Sequence, residues 1–351
     1  TIKSIQVEDI LHTNPQTTAD LLGIKGGVFI QKSQMGGGSP MIRGFSANRV
    51  LIVVDGIRMN NAIYRSGNLH NVISLDANSL ESTEIIFGPG SVIYGSDALG
   101  GVMSFNTHKP KLSTSTNVEH SGKVFSRYSS ANFEKTINAT YNFGSKKWAA
   151  FFSSTFTDFD DLRMGSNGSD FYLRPEYVSN KKYSGTDNII QNENKQIQTY
   201  TGYNQLNLLG KARFRPNENL DFLVSVHHSE TGDIPRYDRL IQYKNNKLAY
   251  ADWYYGPQKW TMFSGQFQYE KEHTLFDKVS LLSGYQSYTE SRLNRKLNDD
   301  NLGDREENLG IFSINLDFAK KFDEKTELFY GIEANLNKVN SEGYSQNLLT
   351  E

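Results

Sequence analysis

From about residue 117 onward the chain alternates apolar and polar positions. In "TINATYNF", Ile137, Ala139, Tyr141 and Phe143 fall on one face of an extended chain, and Thr136, Asn138, Thr140 and Asn142 fall on the other. "IFSINLDF" sets Phe312, Ile314, Leu316 and Phe318 against Ser313, Asn315 and Asp317, and "LFYGIEANLN" repeats the pattern with Leu328, Tyr330, Ile332, Ala334 and Leu336. About nine segments alternate in this way and predict strands. Short turns are expected near Gly144-Ser145, Pro216-Asn217, Glu272-His273 and Asp323-Glu324. Long polar links are expected over 159–199, 231–258 and 292–307, far beyond the usual connection. Alternation alone also fits a soluble β-sandwich. Short connections at one end and long ones at the other favour a transmembrane β-barrel, with the long loops outside the cell.

The first part of the chain, to about Pro110, has a different grammar. "TTADLLG" reads as a short helix capped by Thr17 or Thr18 and stopped near Gly23. "GVFIQ" and "MIRGF" read as short strands around the turn at Gly36, Gly37 and Gly38, and "STEIIFG" as another strand. Val50 to Val54 is an unbroken apolar run, which predicts a strand buried on both faces. Asp55-Gly56 follows it as a tight hairpin turn. The expected organisation is a mixed α/β unit over 1–112, then antiparallel barrel strands over 113–351.

Composition narrows the classes. Lys plus Arg is 37 and Asp plus Glu is 39, a near-neutral balance that argues against a nucleic-acid partner. There is no cysteine, so disulfide frameworks and thiolate metal sites are excluded. No apolar run approaches the ~20 residues of a membrane helix, yet the chain holds 19 Tyr and 21 Phe. Many aromatics without a long apolar run suit barrel strands.

"GPGSVIYGSDALGGVMSF", from Gly88 to Phe105, spaces Gly90 and Gly95 like a phosphate-binding loop. The residues that should be Lys and Ser or Thr are Ser96 and Asp97. An aspartate there repels phosphate, so the nucleotide reading fails. No catalytic triad or carboxylate pair stands out, and the chain is read as a non-enzyme.

Barrel width grows with strand number. A closed barrel of eight to ten strands is filled by its own side chains, whereas one that holds a globular unit has about 22 strands. If the first part plugs the second, this chain holds fewer than half of the strands, and it is read as part of a longer one.

Three runs carry a resemblance: "TADLLGIKGGVFIQ", "SPMIRGFSANRVLIVVDGIRMNN" and "STEIIFGPGSVIYGSDALGGVMSF". Together they resemble, over about residues 14–108, the plug of TonB-dependent outer-membrane receptors. The carrying elements are Ile42-Arg43-Gly44, the strand ending in Asp55-Gly56, and the block from Gly88 to Gly101. On this resemblance Gly88, Pro89, Gly90, Gly95, Gly100 and Gly101 are architecture, since Gly permits sharp turns and close chain approach. Arg43, Gly44, Asp55, Gly56, Arg58, Glu84 and Asp97 are expected in plug architecture and plug–wall contacts. Buried charges there must be paired.

The resemblance implies energised import across the bacterial outer membrane. A scarce ligand binds plug apices and outer loops, and a TonB-type complex in the periplasm remodels the plug. The implied partners are that complex, outer-membrane lipid, and a nutrient ligand or its carrier protein. The wording of the plug and of "TGDIPRYDRLIQYKNNKLAYADWYYGPQKW" is most similar to the haem and haemoglobin receptor branch. That points to haem or another iron complex as cargo. His70 is the candidate axial ligand, with Tyr64 to stack on the porphyrin and Arg65 to pair with a propionate. His70 also reads as an ordinary loop histidine. The alternatives are a siderophore, cobalamin or an oligosaccharide on the same fold, or a non-transporting adhesin or binding module. His227 and His228 are adjacent on a strand and point to opposite faces, so they cannot share a metal and are read as ordinary residues.

Overall fold

The computed structural model describes residues 2–350 except 25, 33, 47–48, 60–62, 64–71, 89, 91–93 and 182, and the side chain of residue 96. His70, Tyr64, Arg65 and Pro89 lie outside the described residues.

The N-terminal unit is built on a five-stranded sheet. Its strands are β1 (Ile2–Gln6), β4 (Val50–Val54), β5 (Ile57–Arg58), β6 (Leu80–Phe87) and β7 (Gly101–Thr107), in the order β1-β6-β7-β4-β5. β4 and β7 run parallel, and the other neighbours are antiparallel. A separate hairpin joins β2 (Val28–Gln31) to β3 (Ser39–Ile42). Helices α1 (Val7–Thr13) and α2 (Thr18–Ile24) pack beside them. Thr17 caps α2, its Oγ1 accepting from the Asp20 amide at 3.2 Å. The apolar run behaves as its composition demands: all five residues of β4 are buried. Gly101 enters β7 with φ +154, and a Cβ there would stand 2.5 Å from the Ile86 carbonyl oxygen. A side chain at that position cannot coexist with the β6–β7 ladder.

Nine long antiparallel strands follow. They are β8 (Glu119–Ser129), β9 (Glu134–Gly144), β10 (Trp148–Phe159), β11 (Tyr203–Asn217), β12 (Leu220–Thr231), β13 (Lys259–Glu270), β14 (Lys278–Lys296), β15 (Asn301–Lys321) and β16 (Glu327–Asn347). Each pairs with its neighbour in chain order. The two faces differ as the alternation requires. Ile137, Tyr141, Phe152, Val224, Phe263 and Phe312 are exposed on one, whereas Thr136, Asn138, Ser153, Gln205, Lys211 and His227 are buried on the other. The buried face is covered by the N-terminal unit. One apolar cluster runs continuously from Ile52, Met103 and Phe105 into Trp260, Met262, Leu309 and Ile311 of the large sheet.

The link expected over 292–307 is strand instead. β14 continues to Lys296 and β15 starts at Asn301. Polar pairs hold this ladder: Thr289 Oγ1 donates to Asn308 Oδ1 at 2.7 Å, and Arg292 reaches Glu307 at 3.4 Å. Strands of 19 and 21 residues exceed the roughly 9–11 that cross a membrane. Polar and charged residues, Arg295 and Glu307 among them, take buried positions in their outer part, so it lacks the apolar alternation of the rest. The links 160–202 and 232–258 carry small paired strands, Glu176–Val178 with Ile189–Gln191 and Ile234–Pro235 with Tyr250–Tyr255.

Candidate functional site

The N-terminal unit is held against the large sheet by polar groups that neither part satisfies alone. Asp55 and Gly56 form the two-residue turn between β4 and β5, with φ +49 and +87. This is the mirror-image turn that matches strand twist. The turn aims the Asp55 carboxylate at β11 and β12. Lys211 Nζ stands 2.8 Å from Asp55 Oδ2. Thr107 of β7 donates its amide to Oδ1 at 2.9 Å and its hydroxyl to Oδ2 at 2.7 Å. Lys211 also donates to the Thr107 carbonyl at 3.3 Å. His227 Nε2 stands 3.2 Å from Asp55 Oδ2, but off the line of a hydrogen bond, so that nitrogen makes none. Burial works to raise the Asp55 carboxyl, but the adjoining His227 and Lys211 outweigh it and hold the group well below the usual carboxylate range.

A second buried contact lies at the link between α1 and α2. Glu134 of β9 is fully buried, and Arg127 of β8 meets it at 2.6 Å. Arg127 Nη1 also donates to Asn14 Oδ1 and to the Pro15 carbonyl, each at 2.9 Å. Gln16 donates to the other Glu134 oxygen at 2.6 Å. Thr155 of β10 donates to Asp76 at 2.5 Å. Burial raises the Asp76 carboxyl above its ordinary value, against the hydrogen bonds from Thr155 and Asn78. Gln205 donates to the Ile73 carbonyl at 2.7 Å. Farther along the sheet, Arg58 Nη2 donates to Glu333 Oε2 of β16 at 2.9 Å and to the Tyr94 carbonyl at 2.5 Å. Gln286 donates to the Arg58 carbonyl at 2.8 Å.

The other expected residues are placed as follows. Arg43 and Gly44 form the tight turn between Ile42 and Phe45, with φ +49 and +84. Arg43 is exposed and lies 5.9 Å over the Phe87 ring of the same unit. Glu84 is exposed on β6, beside Ser4 and Ser104. Asp97 sits in the short turn of helix Ser96–Ala98. In the glycine block, Gly90 donates to the Ala98 carbonyl at 2.8 Å and Gly100 to the Arg49 carbonyl at 2.7 Å. Gly88 and Gly95 have φ +103 and +79.

At the long-loop end a buried arginine ties three links together. Arg295 donates to Asp252 at 2.7 Å and grips both Asp187 oxygens at 2.7 and 3.0 Å. Its guanidinium lies 4.4 Å over the Tyr183 ring.

A family model described as TonB-dependent Receptor Plug Domain matches residues 1–102. The chain carries a TonB-dependent receptor plug domain. Over 235 residues, 64% of the chain, it is 29% identical to the vitamin B12 transporter BtuB of Vibrio vulnificus (strain CMCP6), covering 36% of that protein. Over 93 residues, 26% of the chain, it is 37% identical to the heme/hemopexin utilization protein C of Haemophilus influenzae (strain 86-028NP), covering 13% of it. Among solved structures, the copper transporter OprC superposes with a TM-score of 0.70 at 14% identity, covering 99% of this chain and 49% of that one. The FrpB iron transporter of Neisseria meningitidis (F5-1 variant) gives a TM-score of 0.71 at 12% identity, covering 97% and 49%. These structures share the fold of plug and antiparallel wall. The chain spans about half the length of the solved proteins it matches, and 36% or less of these two curated relatives.

Sequence reasoning named Asp55 and Arg58 on the plug side of the contacts, but not Asn14, Gln16 or Asp76, and not the partners in the wall. Lys211, His227, Arg127, Glu134, Thr155 and Glu333 were missed. Strand parity held the available signal: Lys211 shares its face with Gln205 and Asn207, opposite Leu206, Leu208 and Phe214, so it points inward.

Proposed function

We propose that the chain is the plug and first nine wall strands of an outer-membrane receptor that imports a scarce nutrient, driven by a TonB-type complex in the periplasm. The observation that carries this reading is the plug seated on the polar face of the wall through buried polar and charged groups from both sides. Asp55 with Lys211 and Gln16 with Glu134 are the chief examples. Such contacts fix a plug in place yet exchange for water once it is pulled. The apolar outer face meets lipid, and the long loops face the outside, where the nutrient or its carrier protein arrives.

For cargo, haem or another iron complex is supported by the wording around His70, Tyr64 and Arg65, and by the similarity to a heme/hemopexin utilization protein. A cobalamin-like cargo is supported by the longer alignment with a vitamin B12 transporter. The test is growth of a strain lacking its own haem and cobalamin receptors, supplied with the full-length protein. Growth on haemin as iron source, lost in His70→Ala, supports the first cargo. Cobalamin-dependent growth supports the second. Growth on neither defeats both.

A further inference from the structure

At the short-turn end of the wall, two neighbouring turns bring three cations beside one aromatic pair. Between β9 and β10, Ser145 donates its amide to the Trp148 carbonyl at 2.7 Å, so Lys146 and Lys147 are the tip residues of a two-residue turn. At the foot of β11, Arg215 donates its amide to the Lys147 carbonyl at 2.7 Å. All three side chains are exposed. Residues 145–147 and 215–219 hold one acid, Glu218, and Arg215 Nη2 donates to its backbone carbonyl at 3.2 Å. Among the described residues none of the three cations meets a carboxylate. The cations beside the next short turn, 271–277, are closed instead: Lys278 meets Glu270 at 2.6 Å and Lys320 meets Asp277 at 2.7 Å.

The aromatic pair lies on the apolar outer face. Trp148 is 54% exposed and stacks on Phe214 at 4.0 Å. Phe222 and Phe267 continue the row. Exposed tryptophan at a membrane rim settles at headgroup level, which sets the three cations beside the phosphates. Toward the long-loop end the same face is hollowed, with Gly210, Ala212 and Gly265 set between Phe152, Phe263 and Tyr285. Along β11, Phe214 to Gly210 is roughly 14 Å, about half of a ~30 Å hydrocarbon core.

We infer that this corner of the wall holds an anionic phospholipid of the leaflet at the short-turn end. Its phosphate lies against Lys146, Lys147 and Arg215, its glycerol backbone beside Trp148, and an acyl chain over Ala212 and Gly210 in the hollow. Charge selects the headgroup: each Lys or Arg near a membrane surface favours an anionic lipid by about fivefold, whereas a zwitterionic headgroup brings a cation of its own. A soluble acidic peptide meets the same cations but has no use for the aromatic row and the hollow. The inference rests on the lipid placement of the outer face in the import reading and goes beyond it.

The experiment is native mass spectrometry of the full-length receptor from micelles doped with equal amounts of phosphatidylglycerol and phosphatidylcholine. The receptor should retain phosphatidylglycerol in preference. Lys146→Gln, Lys147→Gln and Arg215→Gln should each lower that preference about two- to fivefold, and the triple variant should remove most of it. Lys147→Arg keeps the charge and should keep the preference. Lys278→Gln, at a closed pair of the same end, should leave it unchanged. Equal retention of the two lipids, a preference that survives in the triple variant, or one that Lys278→Gln lowers as far as the triple variant does overturns the inference. So does a hexaglutamate peptide that displaces the phosphatidylglycerol, which assigns the corner to an acidic protein segment. Failure of the import reading is separable. A receptor that selects phosphatidylglycerol but never carries cargo inward fails as an importer with this site intact. One that imports cargo and retains both lipids equally stands as an importer and loses the site.

Discussion

Asp55 in the plug and Lys211 in the wall meet at 2.8 Å, with the lysine side chain 1% exposed and the aspartate 13%. Neither belongs in such a place alone. The hairpin turn presents the carboxylate, Thr107 satisfies both of its oxygens, and the strand brings the ammonium from the opposite side. Removing one member leaves the other charge buried. Lys211→Met is therefore expected to destabilise the docked plug by about 3–5 kcal/mol. Chemical denaturation of the full-length receptor in detergent, followed by protease access to the plug, measures this. Unchanged access would show that the pair does not hold the plug.

The same carboxylate sets an acid response. Its folded-state pKa lies below the ordinary value of 3.8, so the folded state favours the charged form. That stabilisation is complete above the ordinary value and drains away as pH falls from it toward the folded value. Plug docking should weaken below about pH 4. Asp55→Asn should dock less firmly at neutral pH and lack this component of the acid response. Parallel acid profiles for the two proteins would contradict the assignment.

The exposed apolar face makes a prediction about lipid. Val224 is 58% exposed on the outer side of β12. Val224→Arg should cost roughly 2–4 kcal/mol of folding stability in bilayers if it lies near mid-membrane, whereas Val224→Leu should be nearly neutral. Urea titration of folding into liposomes gives both values. Equal stability of the two variants would place this face away from lipid.

Arg295 is a buried pin of the loop cap. Arg295→Ala leaves the buried Asp187 carboxylate, 4% exposed, without its bidentate partner. The links 160–202 and 232–258 should then become protease-sensitive while the strands below stay protected. Mass mapping of the cleavage sites reads this directly.

Much of the fold was legible because burial writes itself into the sequence in two scripts. β4 sits between β5 and β7 and is buried on both faces, so Val50 to Val54 is apolar throughout. β9 has one face exposed and the other against the plug, so Ile137 and Tyr141 alternate with Thr136 and Asn138. Asp55-Gly56 was legible because few residue pairs accept two successive positive φ angles. The site was half legible. Polar inward positions on barrel strands look alike in sequence, and only the three-dimensional seat of the plug selects Lys211, His227 and Glu134 from among them. The ladder beyond Arg292 was misread as loop because its buried positions, Arg295 and Glu307 among them, are charged and leave no apolar alternation to read.

The most direct measurement of the central claim is uptake of labelled cargo by cells carrying the full-length receptor, with and without a working TonB-type complex. The account predicts equal surface binding in both strains and accumulation inside only where the complex works, with Lys211→Met altering uptake more than binding. Equal accumulation in the two strains would contradict it.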